Sequence, residues 1–173
     1  EMAATLAECG GAAAVHGLDA PQWQQGDTSL YTQGMIEKRT RLRRNGKVKD
    51  ALHNWWVTAL NSMSSEKRRS MVSGVGGAQT EVTEGQYVAM MKKIYKCMLK
   101  EYDADDAENE ARNDWKKDSK GQPTIGRIPF QDGLFELADV WTEGVDPEEY
   151  AGFLNRLFKN IAIFKPPDGP YLW

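Results

Sequence analysis

The chain has 173 residues and a mass of 19.5 kDa, enough for one domain with tails and for a core needing neither disulfides nor metal. Hydrophobic residues make up 40% and charged residues 27%, the balance of a soluble globular chain. A formal charge of −3, from 22 Lys+Arg and 25 Asp+Glu, excludes a uniformly basic nucleic-acid protein but leaves room for a local basic patch.

Residues 1–28 read as an extended N-terminal tail of small residues, with Pro21, Gly26 and little periodicity. Ala and Gly dominate 1–20 with no basic residue at the start, so this stretch does not read as an intact signal or transit peptide. Residues 29–72 form a basic helical segment. Its first helix is expected over about 30–44, stopped by Asn45-Gly46. A second follows over about 48–62, with Leu52, Trp55, Trp56 and Leu60 at helical spacing. Ser64-Ser65-Glu66 is a capping signal for a short helix to about 72. The segment 73–164 then opens with a glycine-rich turn. A helix over about 84–101 carries Tyr87, Met90, Met91, Ile94, Cys97 and Met98 on one face. Further helices are expected over about 105–117, about 129–139 with Pro129 in the first turn, and from Asp146-Pro147 to about 163. The tail 165–173 is too proline-rich for helix. No strand longer than two or three residues is expected. The fold class is all-α.

Charge is segregated along this order. Residues 1–35 hold four acids and no Lys or Arg; residues 36–72 sum to +7; residues 73–173 sum to −6. The basic centre contains Arg39, Arg41, Arg43 and Arg44, read either as the solvated face of a helix or as a docking patch for an acidic partner. Tyr171 and Trp173 at the C-terminal end are candidate anchors in a partner's pocket, or fold back on the chain's own surface.

Chemical motifs are sparse. Cys9 and Cys97 make no disulfide framework, and His16 and His53 lie far from both in sequence. Gly74-Val-Gly-Gly77 lacks the Lys-Ser/Thr of a phosphate loop. Asp105, Asp106, Glu108 and Glu110 read as a solvated acidic helix start. No apolar run approaches the ~20 residues that span a bilayer.

One pattern recurs. Val82, Ile125 and Val145 each precede by five residues an apolar helix start: Tyr87, Phe130 and Tyr150. Apolar residues then fall at the fourth, fifth and eighth places, and only Gly133 breaks the scheme. This spacing resembles the EF-hand superfamily, to which calmodulin belongs, across about residues 50–160. The likeness implies a degenerate EF-hand-like helical domain with extended N- and C-terminal tails. It also implies that apolar loop residues of neighbouring hands pair, and that calcium needs oxygen ligands at loop positions 1, 3, 5 and 12. The loop around Val82 has no acid at positions 1, 3 or 5 and ends in Gln86. The loop around Ile125 begins at Asp118 but places Lys120 at position 3 and Pro129 at position 12. The third loop comes closest, with Asp139, Glu143, Gly144 and Glu149 matching positions 1, 5, 6 and 12. It is one residue short and has Trp141 at position 3, so the metal site Asp139–Glu143–Glu149 is expected to stay vacant and no cofactor is expected.

The string Asp114-Trp115, Asp118, Gly121, Phe130, Leu134-Phe-Glu-Leu-Ala-Asp139, Trp141-Thr142, Tyr150 and Phe153-Leu154 resembles degenerate EF-hand proteins of ciliated and flagellated eukaryotes. That likeness implies a non-enzymatic structural protein of the cilium or flagellum. Its partners would be proteins of a large complex, tubulin or axonemal proteins among them, with no nucleic acid and no membrane span. The location would be the axoneme, otherwise the cytoplasm. The alternative is a calcium-responsive sensor or regulatory subunit that grips a partner helix, with Met90, Met91 and Met98 in its groove.

Overall fold

The computed structural model of the chain describes residues 32–62, 80–164 and 171–172. Side-chain caps set most of the helix starts. Thr32 opens α1 (Gln33–Leu42), and Asn45 opens α2 (Gly46–Asn61) by accepting from the Lys47 N–H at 2.9 Å. Strand β1 (Val82–Thr83) runs into α3 (Glu84–Met98). Asp103 opens α4 (Ala104–Ser119) by accepting from the N–H groups of Asp105 and Asp106 at 2.8 and 2.9 Å. Strand β2 (Thr124–Ile125) leads into α5 (Arg127–Trp141). Asp146, followed by Pro147 at the first helical position, opens α6 (Pro147–Ile161). Strands β3 (Ile163–Phe164) and β4 (Tyr171–Leu172) complete the described chain.

The all-α expectation holds, and every described strand is two residues long. Boundaries differ in detail. The third helix stops at Met98, where Leu99 turns to extended backbone, rather than near 101. The fifth begins at Arg127, so Pro129 is its third residue, still in the first turn where a missing N–H leaves no bond unmade. The short helix expected over 64–72 and the tail 1–28 lie outside the described residues.

The recurrence has a direct structural expression. Val82 pairs with Ile125 and Thr83 with Thr124 in an antiparallel β-bridge, with both apolar residues buried. The bridge aligns the starts of α3 and α5, so Tyr87 and Phe130 enter the interior in register. The third member departs from this scheme, since Val145 lies in no strand and packs against the core from its edge.

Helix α6 is the centre of the packing and touches α2, α3 and α5, while α4 lies against α3 and α5. Its amphipathic face buries Tyr150, Phe153, Leu154, Leu157 and Phe158. Trp55 of α2 is fully buried, donates its indole N–H to the Leu154 carbonyl at 3.1 Å, and meets Phe158 edge-on at 5.5 Å. The segment 29–72 therefore supplies a wall of the same core through Val48, Leu52, Trp55 and Trp56. At the far end, β3 and β4 pair through Ile163–Leu172 and Phe164–Tyr171, and β4 lies beside α2.

Gly133, the break in the recurring pattern, sits where α4 approaches α5. A Cβ there would come within 2.8 Å of the Asp118 carboxylate, which the Tyr87 hydroxyl holds at 2.6 Å. Gly133→Ala is expected to cost about 1–2 kcal/mol of stability. In an Asp118→Ala background that cost should fall below about 0.5 kcal/mol. Urea denaturation of the four proteins checks this, and equal costs in both backgrounds would assign the glycine some other role.

Candidate functional site

The third turn, between α5 and α6, contains the residues that best match an ion loop, and it brings them to different partners. Asp139 is partly buried, and its carboxylate accepts from the Arg39 Nε at 2.6 Å and from the Tyr150 hydroxyl. Glu149 reaches back across the turn and accepts the N–H groups of Glu143 and Gly144 at 2.8 and 3.0 Å. Gly144 makes that reach possible, since a Cβ there would lie 2.6 Å from the Glu149 carboxylate. Glu143 is exposed and contributes only its backbone N–H to this arrangement. Among the described residues, no three His, Cys, Asp or Glu side chains gather into a group able to hold a metal.

The first turn shows a similar substitution of role. Gln86 stands at the closing position of the loop around Val82. Its side-chain oxygen accepts from the Thr83 N–H and hydroxyl at 3.0 and 2.8 Å, and its amide donates to the Ala59 carbonyl of α2 at 2.9 Å. The residue ties two helices and one cap together.

The four arginines split into two pairs. Arg39 on α1 and Arg43 at its C-cap, one helical turn apart, face α5. Arg39 takes Asp139; Arg43 takes Asp132 and lies 4.6 Å above the Phe135 ring. Arg39 and Arg43 dock α1 onto the chain's own acidic half, where α1 buries only Leu42 and gains polar anchoring. Arg41 stays exposed with a loose 3.6 Å contact to Glu37, and Arg44 is exposed. Lys47 likewise reaches Glu148 at the start of α6. The segregated charge is thus partly an internal clasp. Tyr171 belongs to the β4 strand that folds back on β3, and Trp173 lies outside the described residues.

A groove runs along α3, α4 and α5, made of two adjoining cavities of about 600 and 380 Å³ that share Asp114 and Leu137. Met90, Met91, Met98, Leu137 and Trp141 supply apolar walls. The larger cavity is rimmed by Glu101, Asp103, Asp106, Glu110 and Asp114, with no Lys or Arg in its lining. Tyr87 and Tyr95 donate to Asp118 and Asp114 within the groove. Burial raises both phenol pKa values and the adjacent carboxylates raise them further, so both hydroxyls remain donors at all physiological pH. Burial also lifts the Asp118 carboxyl above the usual carboxylate range, against the pull of the Tyr87 hydroxyl and helped by nearby Asp114. An apolar groove with an acidic rim suits a basic segment carrying apolar side chains.

Comparison with family models, curated proteins and solved structures finds no match.

The site therefore stands on its own geometry. The acidic rim was open to discovery in sequence, because Asp103, Asp106, Glu110 and Asp114 fall three, four and four residues apart, one face of a helix. Reading the run 105–110 as a solvated helix start separated those residues from the methionines they flank. Among the described residues, no helix is long and apolar enough to cross a membrane.

Proposed function

We propose that the chain is a non-catalytic structural adaptor. In this reading an EF-hand-like core without its ions docks as a rigid module into a large protein assembly. The setting is the microtubule-based axoneme of cilia and flagella, and the docking surface is the acidic, Met-lined groove along α3, α4 and α5. The observation that carries the reading is the internal commitment of the loop residues. Asp139 answers Arg39 and Tyr150, Glu149 answers the turn backbone, and Gln86 answers Thr83 and Ala59. A calcium-driven opening would have to break these bonds and strip α6 from three neighbouring helices. The β-bridge between Val82 and Ile125 supports the EF-hand likeness.

Calorimetric titration of the full chain with calcium is expected to show no heat at micromolar ion. Co-sedimentation with axonemal microtubules is expected to be salt-sensitive and equal in calcium and in chelator. Micromolar calcium binding together with calcium-dependent pelleting would replace this reading with the sensor. Absence of pelleting at low salt would remove the axonemal setting.

A further inference from the structure

On the side of the molecule built from α1, α2 and the start of α5, the fold assembles a second charged surface of opposite sign. A notch of about 120 Å³ lies between Lys49 of α2 and Arg127 of α5. Leu52 and Phe135 line it, both almost wholly buried. Ile128 stands at its edge, 75% exposed, the most exposed large apolar side chain among the described residues. Arg43 and Asp132 also border the notch and neutralise each other. Lys49 and Arg127 have no carboxylate within ion-pair distance among the described residues; Arg127 bonds only the neutral Gln131, at 3.3 Å. The adjoining first turn of α5 adds to the positive potential. It contains no acid, and its N-cap is Gly126, which has no side chain to accept a bond.

We propose that this notch docks an acidic polypeptide segment carrying one apolar or aromatic side chain. The carboxylates would lie against Lys49 and Arg127, and the apolar side chain would enter the notch beside Ile128. The volume is roughly that of four water molecules, room for one branched or aromatic group. Two uncompensated cations beside an apolar floor suit a peptide better than a phosphate backbone, which has nothing to place on Ile128, Leu52 and Phe135. Lys49 and Arg127 are 78 positions apart in sequence, so the surface exists only once α2 and α5 pack together. The inference rests on the reading of the chain as a protein-binding module, but it uses a face separate from the acidic groove.

The test is fluorescence polarisation of the full chain with three labelled probes. They are a six-residue peptide of four Glu flanking Leu-Phe, a hexaglutamate, and a single-stranded RNA hexamer. The Glu-Leu-Phe peptide is expected to bind at least tenfold more tightly than either of the others, and to weaken as salt rises. Lys49→Glu with Arg127→Glu should reduce that binding at least tenfold, and Ile128→Ser several-fold. Since all three side chains are exposed, unchanged thermal melts are expected to accompany the losses. Equal binding by the double variant, equal binding of hexaglutamate, or tighter binding of RNA would each overturn the proposal. A basic amphipathic peptide of Lys and Leu, titrated against the same proteins, reads the acidic groove separately. If that peptide fails to bind while the acidic one succeeds, the groove reading falls and the notch stands.

Discussion

Trp55→Ala is expected to lower the unfolding free energy by about 3–5 kcal/mol, a large part of the roughly 5–15 kcal/mol typical of a domain. Trp55 is fully buried where α2 meets α6. Truncation opens a cavity, removes the edge contact with Phe158, and takes away the donor to the Leu154 carbonyl. For a chain of this size the melting temperature should fall by roughly 6–20 °C. Trp55→Phe separates the contributions. It keeps most of the apolar volume and loses the indole N–H, so a loss of about 1–2 kcal/mol is expected. Urea denaturation followed by circular dichroism measures both. If alanine costs under about 1 kcal/mol, α6 is not held by this contact and the claim of a rigid core fails. The result bears on function because α6 fills the space between α2, α3 and α5. A weakly held α6 would be a helix that could leave, and the sensor reading would regain ground.

Local chemistry made much of the fold readable. Asp103 and Asp146-Pro147 announce α4 and α6 because a cap acts through bonds only two or three residues away. The five-residue interval picked out Val82, Ile125 and Val145 alike; the first two pair in a bridge, while Val145 has the same spacing and lies in no strand. The candidate site was harder to read, for a physical reason. Arg39 and Asp139 are 100 residues apart, and nothing local tells an arginine that faces solvent from one that faces a distant aspartate. The spacing of Arg39 and Arg43, one turn apart, was a clue that they share a face; Arg41 lies on another. Gln86 and Glu149 were read as failed or partial ion ligands. Glu149 in fact bonds turn backbone, and Gln86 serves a capping box with Thr83 while its amide reaches the Ala59 carbonyl, a long-range partner that leaves no local sign. Gly133 looked like an error in a pattern, and only the position of Asp118 explains it.

Asp139→Ala is the second substitution with a large expected effect. It takes the Asp139 carboxylate from the Arg39 guanidinium, whose side chain is only 17% exposed, and from the Tyr150 hydroxyl. The lost ion pair dominates, and about 2–3 kcal/mol is expected. Asp139→Asn keeps one oxygen for Tyr150 and should cost about 1–2 kcal/mol. Arg39→Met in the Asp139→Ala background removes the charge that lost its carboxylate and fills the space, so most of the loss should return. A double variant as unstable as Asp139→Ala alone would show that the ion pair is not what holds α1 on α5. The same proteins address the ion question from the opposite side. Arg39→Met alone releases Asp139 from its strongest partner. If only the arginine kept calcium out, this variant would bind the ion. No gain is expected, because Trp141 offers no oxygen and Glu149 remains bonded to the turn backbone. Calcium heat appearing in Arg39→Met, and absent from the parent chain, would make the arginine a tethered cation standing in for the metal.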